Sequence, residues 1–328
     1  MNKSNASGCR RPDDVTRRLH MGRKINSIVS ILFIFLLSLF TVPLFASGSQ
    51  EQGAPADESA RTFSFTDSRG ITIELESRPL RIISLGPNIT ETIYALGREQ
   101  LLVGRTDFCD YPAEVSMISS VGGLQDPSLE TIVSLNPDLV IGSTHVDPEV
   151  LKKLESYSIP SALIYGEESF EGMEEVISGC AQLLDAETEG KALLDDIHNR
   201  RAALEASVAA MDKNPSCYYA LGFGDGGDWT SGGNTFISEL LSMSGGSNIA
   251  EDQEGWSYSK ELLVAKQPQL ILVNRGMKDE FLTLPVYKDL AAAQNGRVFE
   301  IDENILVRQG PRQIDALEQI HRIMDLIP

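Results

Sequence analysis

The chain is poor in the short sequence marks of catalysis. It has no G-x-S-x-G elbow, no Walker phosphate loop and no H-E-x-x-H, so the motifs of serine hydrolases, P-loop nucleotide enzymes and zinc peptidases do not apply. Positive charge is scarce too: 28 Lys and Arg face 47 Asp and Glu, a formal net charge of -19. A phosphate backbone needs a basic surface, which removes nucleic acid from the expected partners. The acidity instead gives solubility and steering toward basic surfaces. Histidine occurs four times, at His20, His145, His198 and His321, and only His145 falls beside a strand end. A bare Zn²⁺ or Mn²⁺ ion needs several converging imidazole or carboxylate ligands, so none is expected. Tryptophan occurs twice, as Trp229 and Trp256, both in or beside loops.

One motif invites a nucleotide reading and fails it. Gly222 to Gly227 matches G-x-G-x-x-G after a strand. A pyrophosphate there would need a helix N-terminus directly behind it. Asp225 and Asp228 would repel it, and the next helix is predicted only near Asn234.

What the chain does have is a segment that occurs twice. SLETIVSLNPDLVIG (Ser128 to Gly142) is echoed by SKELLVAKQPQLILV (Ser259 to Val273). Aligned on Pro137 and Pro268, each reads as a short amphipathic helix, a proline turn and an aliphatic run. Such a run suits a parallel strand buried on both faces. The third residue of each copy is a glutamate, Glu130 and Glu261, in a first helical turn where a carboxylate complements the helix dipole. Two related α/β lobes follow, and two lobes imply a cleft. A length of 328 residues agrees with two domains.

The N-terminus reads as an export signal. Arg23 and Lys24 precede an apolar run from Ile28 to Phe45, and Ala46-Ser47-Gly48 supplies small residues for cleavage. The polar tract before Met21 is atypical of a leader, which makes Met21 an alternative start. The apolar run reaches the lower limit for a membrane span, so an uncleaved anchor stays open. Residues 1–46 are thus assigned to a signal peptide and 47–61 to a disordered linker. Of the 28 basic and 47 acidic residues, seven and two lie in residues 1–46, so the exported form is more acidic still. It keeps Cys109, Cys180 and Cys217, an odd number that leaves at least one free thiol. Cys180 falls in an amphipathic helix pattern and reads as core; a Cys109–Cys180 bridge is left open.

Strand and helix patterns then alternate, which argues for parallel sheets with right-handed crossovers. An uninterrupted helical pattern over 186–212 separates a first α/β lobe, 62–185, from a second, 213–328. In open parallel sheets ligands bind beyond the carboxyl ends of the strands. Those ends carry Phe108, Tyr111, Leu124 and His145 in the first lobe, and Phe223, Trp229, Trp256, Arg275 and Arg308 in or near the second. Aromatic faces bury the area of a large planar ligand while a few polar groups orient it.

The runs RIISLGPNITETIYALG, TDFCDYP, VGG, SLETIVSLNPDLVIG, WTSGGNTFISELLSMSGG and LVRQGPR resemble, in that order, the bacterial substrate-binding proteins serving ABC importers of vitamin B12, iron–siderophores and haem. The resemblance spans about Arg81 to Ile327. CDYP, the WTSGG loop and the paired SLE and SKE segments are most similar to the vitamin B12 binders. It implies two Rossmann-like lobes with parallel sheets joined by one long helix, and a ligand held between them. Phe108 matches a position where the B12 binders place an aromatic, and Arg308 their arginine before the Pro-Arg step, whereas Arg312 reads as capping or pairing near the last helix. Leu124 departs from the pattern, which has tryptophan there. Tyr111 resembles the tyrosine that haem-binding relatives use on iron, and His145 is a further candidate for ligand or haem iron. Glu130 and Glu261 match the glutamate on each lobe that meets arginines of the permease.

The resulting expectation is an exported, periplasmic, non-enzymatic protein with no catalytic residue, cofactor or resident metal. Its partners are ABC transporter permease subunits and a bulky chelate. Cobalamin or another corrinoid leads, ahead of ferric siderophore or haem. The competing class is an enzyme on the same scaffold, which would need polar catalytic groups clustered in the cleft.

Overall fold

Residues 63–328 are described by the computed structural model; the expected leader and linker lie outside them. An antiparallel hairpin of β1 (Phe63–Thr66) and β2 (Thr72–Leu75) comes first. Its turn is organised by Asp67, whose carboxylate accepts from the backbone N–H of Arg69 at 2.9 Å and of Ile71 at 3.1 Å. The same carboxylate accepts from the N–H of Leu163 at 3.0 Å, which ties the hairpin to the first sheet.

That sheet contains β3 (Ile82–Ser84), β4 (Leu102–Arg105), β5 (Leu139–Gly142) and β6 (Ser161–Leu163), all parallel, in the order β4-β3-β5-β6. Helices α1 (Pro87–Ala95), α2 (Leu129–Ser134), α3 (Pro148–Ser156) and α4 (Phe170–Leu183) alternate with it. After α5 (Glu187–Ala209) the second lobe repeats the plan. In chain order it has β7 (Ser216–Ala220), β8 (Asp228–Trp229), α6 (Phe236–Met243), β9 (Ser247–Asn248), β10 (Ser257–Tyr258), α7 (Lys260–Lys266) and β11 (Leu270–Asn274). It ends with α8 (Lys278–Thr283), α9 (Ala291–Gln294), β12 (Val298–Ile301), α10 (Glu303–Val307) and α11 (Gln313–Asp325). Its parallel sheet runs β12-β11-β7-β9, so β9, β7, β11 and β12 stand where β4, β3, β5 and β6 stand in the first. β5 and β11 are buried along their whole length, as the aliphatic runs predict.

The duplication reaches individual hydrogen bonds. Ser128 caps α2 by accepting from the N–H of Thr131 at 3.2 Å, and Ser259 caps α7 by accepting from that of Leu262 at 3.3 Å. Each helix is closed by a residue in the left-handed region before its proline, Asn136 at φ 46° and Gln267 at φ 43°. Behind the prolines, Asp138 accepts from the N–H of Arg81 at 3.0 Å and Gln269 from that of Ser216 at 3.0 Å. In both lobes the same position ties the helix–turn unit to the neighbouring strand.

The connecting helix spans 23 residues, about 35 Å at 1.5 Å per residue. It is so polar that only Gly190, Ile197 and Leu204 are buried, too few to hold it alone. Half-buried Leu193, Leu194 and Val208 pack against the cores beside them, and ion pairs add further ties. Arg200 meets Asp315 at 2.6 Å and Glu318 at 2.8 Å on α11, and Arg201 meets Glu171 at 3.1 Å on α4. Helix α4 shares the bridging: Val176, Cys180 and Leu183 belong to the first lobe's core, while Phe170, Met173 and Ile177 pack into the second's. Cys109, Cys180 and Cys217 are free and buried, so the Cys109–Cys180 bridge is not formed. Burial pushes the Cys180 and Cys217 thiols up to about 12.

Candidate functional site

Five aromatic side chains among the described residues are strongly exposed: Phe108, Tyr111, Tyr157, Trp229 and Trp256. Four of them are residues that the strand-end pattern selects. Phe108 and Tyr111 follow β4, whereas Trp229 and Trp256 lie on or beside the small antiparallel ribbon of β8 and β10. Trp229 pairs with Ser257, and the N–H of Thr230 donates to the carbonyl of Trp256 at 2.8 Å. One ribbon therefore carries both tryptophans. Its other anchor is Gly222, in contact with Trp229 across an isolated bridge. A Cβ on Gly222 would come within 3.1 Å of the indole, so this glycine lets the backbone pass the ring closely.

Between the lobes lies a cleft of about 320 Å³, lined by Asp110 and Tyr111 from the first and by Arg275, Asp302, Glu303, Asn304 and Arg312 from the second. The two sides are joined at Glu91, a carboxylate on α1 whose side chain is only 2% exposed. It accepts from Arg308 Nη1 at 2.8 Å, from Arg312 Nε at 2.8 Å and from Arg312 Nη2 at 2.6 Å. Arg308 also donates to Asp110 Oδ1 at 2.6 Å and to the carbonyl of Phe108 at 3.1 Å. The Arg312 guanidinium lies 4.0 Å from the centre of the Tyr111 ring, a cation–π contact. Burial alone would raise the Asp110 carboxyl; the Arg308 guanidinium more than offsets it and holds it below the usual carboxylate range. Gln309 adds a further tie across the junction by donating to the carbonyl of Glu167.

Thus Phe108, Tyr111 and Arg308 are drawn together, with Arg308 already engaged by two carboxylates. The sequence pattern selects Arg308 but misses Glu91 and Asp110 and assigns Arg312 only to helix capping or pairing. A signal existed: Glu91 is the only charged residue in α1, and a lone carboxylate in an otherwise uncharged, mostly buried helix calls for a partner.

Of the remaining candidates Arg275 lines the cleft with Arg312, while Phe223, Leu124 and His145 are not among its lining residues. Phe223 is half-buried, its ring 5.0 Å from Phe281 and 5.7 Å from Tyr287, so it packs the second lobe's core. Leu124 is half-buried in the loop before α2, and His145 is exposed, 2.8 Å from the Thr144 hydroxyl. Arg275 is exposed and 3.6 Å from Asp302. Asp228, read from sequence only as a charge that repels phosphate, is buried and directly precedes Trp229 in β8. It accepts from the Tyr287 hydroxyl and lies 3.9 Å from Lys260 Nζ. Burial raises its carboxyl, against the lowering effect of Tyr287 and Lys260. Among the described residues no group of three or more His, Cys, Asp or Glu could hold a metal ion.

Glu130 and Glu261 are exposed in the first turns of α2 and α7. A hydrogen bond from Ser259 at 2.6 Å holds the Glu261 carboxyl below its ordinary range. Val133 and Val264, one turn on in each copy, are exposed as well.

Two similar α/β lobes, a bridging helix and a cleft at the strand ends define a solute-binding protein. The chain belongs to the periplasmic binding protein family, whose model matches residues 82–305. It is 26% identical over 281 residues to the uncharacterized ABC transporter substrate-binding lipoprotein YvrC of Bacillus subtilis (strain 168), covering 83% of this chain and 89% of that one. It is 27% identical over 319 residues to a cobalamin-binding protein of Halobacterium salinarum, covering 92% of this chain and 84% of the relative. Among solved structures it is similar to the periplasmic heme-binding protein RhuT from Roseiflexus sp. RS-1 in apo form. The TM-score is 0.69 at 29% identity, over 74% of this chain and 97% of that one. Among the described residues no helix is long and apolar enough to cross a membrane.

Proposed function

We propose that this chain is an exported, periplasmic, non-enzymatic solute-binding protein that captures a bulky metal chelate and passes it to the permease of an ABC importer. Cobalamin or a related corrinoid is the favoured chelate. The observation that carries the reading is the exposure of Phe108, Tyr111, Trp229 and Trp256 on loops beyond the sheets of both lobes. Exposing large rings costs solvation free energy unless a partner covers them. The similarity to a cobalamin-binding relative supports the corrinoid, and the leucine at position 124 weighs against a close copy of the usual B12 pocket.

Haem is the second reading, favoured by Tyr111. Its phenol borders the cleft beneath a guanidinium, where it could reach an iron, and a haem-binding structure is among the similar ones. A ferric siderophore would use the same rings and arginines. For delivery, Glu130 and Glu261 are assigned to the permease. They are equivalent, exposed and one on each lobe, so they can report orientation and lobe spacing to basic sockets.

Cyanocobalamin, haemin and ferric siderophores are all coloured, so absorbance titration of residues 47–328 distinguishes them. A perturbed corrin spectrum is expected with cyanocobalamin. Under the haem reading, Tyr111→Phe should abolish or shift the Soret band of the haemin complex; under the corrinoid reading it should leave cobalamin binding nearly unchanged. Protein that perturbs none of the three spectra, and binds none by equilibrium dialysis, overturns the proposal.

A further inference from the structure

The two carboxylates on Arg308 are not alike. Glu91 is 2% exposed and is also bound twice by Arg312, whereas Asp110 is 56% exposed. Both accept from the same nitrogen, Nη1, Glu91 at 2.8 Å and Asp110 at 2.6 Å. Stripping a buried carboxylate of its partners is costly, because the charge is left without water or counter-ion. A half-solvated one loses little when it swings back into water. Glu91 is therefore the fixed partner and Asp110 the exchangeable one.

Position adds the rest. Asp110 borders the cleft together with Tyr111 and Arg312, and it lies between Phe108 and Tyr111 in the chain. A ligand stacked on those rings brings its own polar groups to where the Asp110 carboxylate now meets the guanidinium. Resting on the chelate-binding reading above, we propose that Asp110 is a stand-in anion: its carboxylate holds a face of Arg308 that an acidic group of the ligand takes over. Asp110 is then a specificity-determining residue, setting how strongly the cleft prefers ligands with a free acid over neutral ones. A neutral ligand leaves the Asp110–Arg308 pair in place. An acidic one must displace it, and pays for that exchange in affinity.

Two matched pairs of probes test this: haemin against its dimethyl ester, and cyanocobalamin with one amide hydrolysed to a carboxylate against cyanocobalamin itself. Asp110→Ala should bind the acid member of a pair about tenfold more tightly than wild type, the lower end for one charge-assisted hydrogen bond. Binding of the neutral member should change far less than that of the acid member. The gain should shrink as salt is raised, and Asp110→Glu, which restores the charge, should restore the wild-type preference. Equal effects on both members of a pair, or no gain on the acid member, overturn the proposal while the chelate reading stands. Wild-type protein that binds neither these four probes nor a ferric siderophore sinks the chelate reading and this inference with it.

Discussion

The junction at Glu91 makes a quantitative prediction about what holds the lobes together. Glu91→Gln keeps the shape and one acceptor, but it turns an amide NH₂ toward a guanidinium and leaves two arginines short of a counter-charge. Both arginines are nearly buried, at 10% and 14% exposure, so bulk water cannot replace the lost carboxylate. Removing one partner from a buried ion pair costs about 3–5 kcal/mol. Arg308 keeps Asp110 and the Phe108 carbonyl, and Arg312 keeps the Tyr111 ring, which points to the lower end, about 3 kcal/mol. Urea unfolding followed by circular dichroism should show a midpoint lowered by roughly 1 M or more. A double-mutant cycle with Arg312→Gln should return a coupling of about 1–3 kcal/mol. Replacing all three groups by apolar residues, Glu91→Leu with Arg308→Met and Arg312→Met, should recover most of the stability, because no charge is left stranded. A loss below about 0.5 kcal/mol, the range of ordinary surface changes, would show that the junction is solvated and that burial has been misjudged.

Three further outcomes are expected. Trp229 and Trp256 should dominate the intrinsic fluorescence, and a bound corrinoid or haem should quench it strongly; unchanged emission at saturation, checked by equilibrium dialysis, would remove both tryptophans from the site. Glu130→Lys with Glu261→Lys should leave ligand affinity intact and abolish uptake in vesicles carrying the cognate permease, and normal uptake by the double mutant would reduce both residues to helix-end carboxylates. Asp67→Asn should destabilise the protein by about 2 kcal/mol at neutral pH, since the Asp67 carboxyl, raised by burial but lowered further by Arg69 and the backbone donors, stays below its ordinary value. A depressed carboxyl contributes stability above its unfolded pKa and loses it as pH falls through its folded one, so wild type and variant should converge in acid; a gap that shows no narrowing as pH falls below the ordinary aspartate range would rule out the carboxylate's charge as the cause.

The parts of the fold written in long patterns were legible. Aliphatic runs mark β5 and β11, and the Ser-x-Glu helix starts and Asn-Pro or Gln-Pro breaks mark the repeat. The connecting helix ends at Ala209, three residues short of the expected boundary. The ribbon of β8 and β10 was not legible, because its strands are two residues each and depend on pairing between segments nearly thirty positions apart. Exposure of Phe108, Tyr111, Trp229 and Trp256 followed from their place after strands. The junction did not, since Glu91 and Arg308 are separated by 217 positions and only tertiary structure brings them together. Asp302 and Glu303 are the acids nearest to Arg308 in sequence, yet both of its carboxylate partners, Glu91 and Asp110, come from the other lobe.

The residues proposed for docking and for capture emerge at the same edge of their sheets, and topology explains why. A crossover helix between parallel strands runs back along the sheet, so its N-terminus lies at the sheet's carboxyl edge. Helices α2 and α7 obey this rule, which places Glu130 and Glu261 on the edge where the aromatic loops also emerge. Within the second lobe the connection is closer still. Lys260, adjacent to Glu261, donates to the carbonyl of Gly224 at 2.5 Å and faces Asp228, the residue before Trp229. Lys260 thus links the first turn of α7 to the segment that carries Trp229, while Glu91 ties the first lobe to Arg308 and Arg312 of the second.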